Sequence, residues 1–199
     1  MSYAIVGFGK IGQALARAFA RRNINVIVAS RRPPEELTQQ ARAIGHTVVA
    51  KSLRDALDAD TIILAVPFGE HREVAKALRS WEGKTIIDAM NALVPPAELD
   101  GLPSSAFVAK SFAGAKLVKG FNHLVAATLA TDPIVEGGHR VVFLSSDEED
   151  AIVPVADLAK QLGFAPVKLG RLNEGGALVH ARGRTWGQLI FQDLFKKEQ

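Results

Sequence analysis

The sequence predicts an α/β fold: an open, mostly parallel, doubly wound sheet with helices on both faces. Three observations carry this. Short β-branched runs alternate with helix-length segments along the whole chain, the pattern of repeated βαβ units. Runs such as "TIILAV" (61–66) are apolar without interruption, as parallel strands covered on both faces are. The glycines of "VGFGKIG" stand where the first strand passes into the first helix.

The elements follow in order. "YAIV" (3–6) reads as a strand, and "KIGQALARAFARR" (10–22) as a helix with apolar residues at helical spacing. "INVIVAS" (24–30) is a strand, and 34–44 is a helix opened by Pro33-Pro34, where a missing N–H costs nothing. A short strand (47–50) and a short helix (53–59) precede the apolar strand at 61–66. A helix at 70–80 and the strand "KTIIDAM" (84–90) come next. The segment 91–103 is the longest irregular stretch, and long loops in compact domains are often functional. A helix at 104–114 has a serine N-cap. A strand (116–121), a helix (123–130) and a strand (140–146) follow. The helix at 147–163 carries acids in its first turn and stops at Gly163. Residues 165–199 are expected to form a small C-terminal extension: a strand (165–170), then a mostly helical segment (172–195) interrupted near Gly183. A single domain over residues 1–199 is expected.

Composition removes several function classes. The 199 residues include no cysteine, so disulfides, thiolate metal sites and cysteine nucleophiles are excluded. No apolar run is long enough to span a bilayer, and the N-terminus runs straight into a strand, so a cytoplasmic protein with no membrane partner is expected. The net charge is +3, with a pI near 9.3. The basic residues are spread along the chain rather than striped with aromatics, which argues against nucleic acid as a partner. His46, His71, His123, His139 and His180 show no metal-ligand spacing, so no metal site is expected. There is no G-x-S-x-G elbow, and no G-K-[ST] follows the glycine turn.

The glycine turn is the main functional signal. Gly7, Gly9 and Gly12 stand at G-x-G-x-x-G spacing directly after a strand and at the opening of a helix. The first glycine allows the tight turn, the second lets the backbone approach a pyrophosphate, and the third lets helix and strand pack closely. Gly7, Phe8, Gly9, Lys10, Ile11 and Gly12 therefore form a candidate dinucleotide cradle of the Rossmann type, with free helix N–H groups facing the phosphates. The residue after the second strand selects the cofactor. An acid there would accept from a ribose 2′-hydroxyl. Here Ser30, Arg31 and Arg32 occupy the position, a hydroxyl and two guanidinium groups suited to a 2′-phosphate, and NADP(H) is expected. Glu35 and Glu36 come slightly too late in the chain to be the ribose acid.

In such sheets the chemistry lies beyond the carboxyl ends of the strands. The loops at 66–71, 88–96 and 120–124 supply Val66, Pro67, Phe68, Ala89 and Asn91 as candidate cofactor contacts, with Pro95, Phe121, Asn122 and His123 nearby. Hydride transfer needs two stacked rings in a water-poor pocket. Phe68 and Phe121 are candidate walls, and Asn91 and Asn122 are candidates for orienting a ring amide. His123 is a candidate proton donor. Each has a plainer reading: a Phe in the core, Asn122 as the N-cap of the helix that follows, and His123 as a structural residue at a helix start.

Together, "YAIVGFGKIGQALARAFARRNINVIVASRRP", "ILAVPF", "IIDAMNAL" and "VKGFNHL" resemble the coenzyme F420-dependent NADP oxidoreductases, and are similar to the NADPH domain of the Steap metalloreductases. The resemblance runs from residue 3 to the glycines of 169–178. It implies hydride transfer between NADPH and a flavin or deazaflavin. It puts NADP on the glycine turn and the Ser30-Arg31 pair, and sets Val66, Pro67, Asn91 and Asn122 near the nicotinamide. It also implies a homodimer with the C-terminal part at the contact. The loop 91–103 and the segment from 172 onward resemble the deazaflavin enzymes less, so FMN, FAD or a small oxidised substrate stand beside F420 as acceptors. A redox-sensing module that binds NADP(H) and acts through a protein partner is the alternative. Trp186, Leu189, Ile190, Phe191, Leu194 and Phe195 could give it an apolar surface, or equally form core or a dimer seam.

Overall fold

The computed structural model describes residues 1–180 and the backbone of 194–196. A six-stranded parallel sheet forms its centre: β1 (Tyr3–Val6), β2 (Val26–Ala29), β3 (Val48–Ala50), β4 (Thr61–Leu64), β5 (Thr85–Asp88) and β6 (Lys116–Lys119), in the order β3-β2-β1-β4-β5-β6. The order reverses between β1 and β4, which opens a crevice at their carboxyl ends.

The alternation of side chains along each strand builds two cores. Ile5, Ile63, Ile87 and Val118 stand in register across four strands and pack under α1 (Lys10–Arg21), α6 (Ala126–Ala130) and α7 (Glu149–Gln161). Ala4, Ile62, Ile86 and Leu117 form the matching row on the other face, against Leu57, Trp81, Val108 and Phe112. A parallel sheet buried on both faces has this appearance, and the uninterrupted apolar runs follow from it.

The helices on that second face are shorter than expected. α3 is Leu53–Ala56. A 3₁₀ turn (Phe68–Glu70) leads into α4 (His71–Ala75), which ends where the indole N–H of Trp81 donates to the Ala75 carbonyl at 3.0 Å. α5 is Ser104–Ala109, and Pro103 rather than a serine stands at its N-cap. α2 (Pro34–Ile44) matches its expected span.

After β6 the chain departs from the parallel pattern. β7 (Ile134–Val135) and β8 (Gly138–Leu144) form an antiparallel hairpin. β9 (Ala165–Lys168) lies parallel to β8, and the backbone of β10 (Leu194–Lys196) pairs antiparallel with it. One antiparallel bridge, Lys119 with Ser145, joins this group to β6. The expected helix over 172–195 is corrected accordingly. Its described part is α8 (Gly175–Leu178), and Leu194 and Phe195 lie in a strand. Trp186, Leu189, Ile190 and Phe191 lie outside the described residues.

Candidate functional site

The crevice at the switch point is a cavity of about 410 Å³, lined by Val6, Gly7, Phe8, Gly9, Ser30, Arg31, Arg32, Leu53, Ala65, Val66, Pro67, Glu70, Glu73 and Val74. Eight of the sequence-derived cofactor residues are among these.

Each glycine of the turn has its own cause. Gly7 has a φ of +103°, and a Cβ there would fall 2.4 Å from the Ala65 carbonyl oxygen. It lets the backbone leaving β1 pass against the backbone leaving β4, while its N–H donates to the Ala29 carbonyl at 2.8 Å. A Cβ at Gly12 would fall 1.8 Å from the Gly7 carbonyl oxygen, so the first turn of α1 closes on the strand only with glycine. A Cβ at Gly9 would meet nothing within 4 Å. Protein packing does not demand that glycine, and the space it leaves opens on the cavity. Lys10, Ile11 and Gly12 follow in the first turn of α1, where backbone N–H groups have no intrahelical acceptor.

Phe8 lines the cavity, and its residue is only 3% exposed, packed with the core under α1. At the end of β2, the Ser30 hydroxyl accepts from the Arg32 N–H at 3.0 Å, folding the loop so that all three residues face the cavity. Arg31 pairs with Glu70 across it at 3.0 Å. Leu53, Glu70, Glu73 and Val74 were not expected. They sit on short elements after β3 and β4 that no local motif marks.

Phe68, Ala89, Asn91, Asn122 and His123 are not among the cavity walls. Asn91 and Asn122 do meet each other. The Asn122 amide donates to Asn91 Oδ1 at 3.0 Å and to the Val179 carbonyl at 2.8 Å, and the Asn91 amide donates to the Asn122 carbonyl at 2.9 Å. Asn122 is not an N-cap, because α6 begins later with Val125 in that role. Phe121, just before it, holds a left-handed φ of +62°, an uncommon backbone for a bulky residue. The expectation that Phe121 walls a ring pocket is corrected. Its side chain is fully buried and meets Phe164 edge-on at 5.8 Å. His123 is buried too, its ring against Phe143 and bonded to the Val141 carbonyl at 3.0 Å, so it faces β8. Phe68 packs with Phe107, His71, Ala92 and Leu99 in a small core under the loop 91–103. Ala89 is buried and its N–H donates to the Leu64 carbonyl at 3.1 Å.

Beneath the asparagine pair lies a buried charged cluster. Register places Asp88 beside Lys119 at the ends of β5 and β6. Their ion pair is 3.2 Å long, with side chains 1% and 2% exposed. Lys119 also donates to the Met90 carbonyl at 2.6 Å, and Asp88 accepts from the Met90 N–H at 2.9 Å and the Ser105 hydroxyl at 2.5 Å. His180 approaches from α8, its Nδ1 3.2 Å from the Ser104 hydroxyl. Burial, and then the nearby Lys119 ammonium, hold its imidazole below the ordinary value. A sequence signal for the ion pair existed: two apolar strands, "TIID" and "KLVK", end in opposite charges. Among the described residues no group of side chains could hold a metal ion, and no helix is long and apolar enough to cross a membrane.

A switch-point crevice with a glycine turn, and two arginines in the loop after the second strand, belong to a Rossmann-like α/β fold. Residues 2–92 match the family described as NADP oxidoreductase, coenzyme F420-dependent. It is 40% identical to a hypothetical protein, SMa0349, of Sinorhizobium meliloti; the match covers 99% of this chain and 96% of the other, with a TM-score of 0.91. A structure described as an F420-dependent NADP-reductase, from Arthrobacter sp., shares the fold at a TM-score of 0.70 and 21% identity, over 96% of this chain and 90% of that one. Mouse metalloreductase STEAP2 is 29% identical over 176 residues, which are 87% of this chain and 34% of the mouse protein. The chain thus spans about a third of the length of the curated relatives it matches.

Proposed function

We propose that the protein is an NADPH-dependent oxidoreductase passing hydride between NADP(H) and a flavin or deazaflavin-type acceptor, F420, FMN or FAD. The observation that carries this reading is a single cavity in which the glycine turn and Ser30, Arg31 and Arg32 share the wall. The residues fit the cofactor, since the open space at Gly9 is where a pyrophosphate needs to approach backbone.

The chemistry that a bound NADPH supplies is a hydride on its nicotinamide ring. The chain's own part is binding, orientation and exclusion of water. The N–H groups of Lys10, Ile11 and Gly12 would hold the phosphates, with the partial positive charge of the α1 N-terminus behind them. Ser30, Arg31 and Arg32 would hold the 2′-phosphate. Leu53, Val66, Pro67 and Val74 offer an apolar slot. Asn91 and Asn122 are assigned to orienting the reacting rings. His123, bonded into β8, is assigned a structural role. A single domain over 1–199, a homodimer and a cytoplasmic setting belong to the same reading. The family resemblance supports the homodimer, and the absence of cysteine fits a reducing compartment.

The test is NADPH oxidation by the purified chain against F420, FMN, FAD and no acceptor, with NADH in parallel. A ferric salt is a further arm, because the curated relatives are named metalloreductases. Oxidation with one flavin-type acceptor, faster for NADPH than for NADH, is expected. Tight NADPH binding without oxidation of any acceptor would favour the sensing module. Failure to bind either dinucleotide would overturn the cofactor reading.

A further inference from the structure

The arginine end of the cavity carries two carboxylates as well as its two guanidinium groups. Arg31 and Arg32 come from the loop after β2, and Glu70 and Glu73 come from the far wall after β4. The formal charge of these four side chains sums to zero. A site assembled to take a doubly charged 2′-phosphate has no evident need of two carboxylates, and like charges in a narrow cleft repel.

The Arg31–Glu70 contact joins the two walls. Arg31 Nη2 lies 3.0 Å from Glu70 Oε1, with the arginine side chain 83% exposed and the glutamate 28% exposed. Packing therefore does not hold the guanidinium in place, and the carboxylate does. Glu70 itself is fixed more firmly. It ends the 3₁₀ turn that follows Pro67, its N–H donating to the Pro67 carbonyl at 2.8 Å. An exposed ion pair of this kind is weak, so a competing phosphate can displace it.

We propose that Glu70 sets cofactor selectivity by competing with the 2′-phosphate for Arg31, moderating the preference for NADPH over NADH. This rests on the NADP(H) reading of the cavity. In the free protein Arg31 is held across the cleft by Glu70. A 2′-phosphate draws it away, and part of the binding energy goes into breaking the pair. A ribose that bears only hydroxyls makes no such demand. The residue acts through Arg31 and is a specificity-determining residue, not a catalytic one.

The experiment measures equilibrium binding of NADPH and NADH to the full chain in four forms: wild type, Glu70→Gln, Arg31→Ala and the double variant. Glutamine keeps the shape and removes the charge. Glu70→Gln is expected to tighten NADPH by about two- to fivefold at low salt and to leave NADH within about twofold, the gain shrinking as salt is raised. In the Arg31→Ala background the same substitution is expected to change NADPH affinity by less than about twofold, because the competition has lost its object. Glu70→Asp, whose shorter side chain keeps the charge but lengthens the pair, is expected to fall between glutamine and wild type. Weaker NADPH binding by Glu70→Gln would overturn the proposal, since Glu70 would then be orienting Arg31 for the phosphate. Equal tightening of both dinucleotides, or no change, would overturn it as well. If wild type binds neither NADPH nor NADH, the cofactor reading falls and this proposal with it. If wild type binds NADPH and Glu70→Gln leaves its affinity unmoved, only the proposal falls.

Discussion

The cofactor half of the molecule and the half beyond β4 build their polar sites from opposite materials. Around the glycine turn the groups offered to a ligand are backbone N–H groups and the exposed arginines Arg31 and Arg32. At the ends of β5 and β6 they are side chains, and Asp88, Lys119, Ser105 and Asn122 are all buried. The first kind of site depends on where glycine permits the chain to go. The second depends on several side chains from distant parts of the sequence satisfying one another. A backbone site tolerates change except at the glycines, whereas a buried network fails when any member is left unpaired.

The largest effect should come from breaking that network. Lys119→Met leaves the Asp88 carboxylate buried without its cation, and a loss of about 3–5 kcal/mol of stability is expected. Adding Asp88→Asn should recover much of it. Denaturant unfolding of the single and double variants checks both, and additive losses would show that the two residues are not a unit.

Gly9→Ala sharpens the contrast from the other side. The added methyl meets no protein atom within 4 Å, so stability should fall by less than about 1 kcal/mol. NADPH affinity should fall by at least about tenfold, because the methyl occupies the approach of the phosphates. Calorimetric titration beside a melting curve separates the two, and an unchanged affinity would remove Gly9 from the cradle.

The smallest effect concerns a carboxylate belonging to neither site. Asp60 accepts from the Ser2 N–H at 2.7 Å and the Ser2 hydroxyl at 3.0 Å, and these bonds hold its carboxyl below the ordinary value. A carboxyl whose folded value is depressed contributes stability above the ordinary carboxylate range and loses it as pH falls through the folded value. Asp60→Asn should therefore flatten the acid limb of the stability profile slightly. Solvent and salt keep the effect small at this exposed site.

The two halves were also unequally legible in the sequence. The glycine spacing and Ser30-Arg31-Arg32 could be read because each is local, a few consecutive residues whose types follow from backbone geometry and charge. The six parallel strands were legible for a similar reason, since runs such as "TIIL" and "TIID" have only one way to be buried on both faces. The antiparallel turn of the sheet at Lys119–Ser145 left no such mark, because "RVVFLSS" is as good an edge of a hairpin as a parallel strand. His123 and Asn122 looked alike as helix-start residues. The late start of α6 at Ala126 takes both off the helix, turning one toward β8 and the other toward Asn91. Glu70 was invisible because its meaning depends on Arg31, which is 39 positions away and on another strand's loop.

The hydrogen bond from Ser105 to Asp88 has a consequence for how the loop between them can vary. It joins residues 17 positions apart, so the excursion from 89 to 104 leaves and returns at one buried carboxylate. A segment clamped at its base is a cassette. Doubling the length of a flexible loop adds only about 0.6 kcal/mol of closure entropy. The stretch can therefore be lengthened, shortened or exchanged while the clamp keeps the strand ends where they are. Divergence among related proteins in what they accept from a common dinucleotide would then be concentrated in this one replaceable insert.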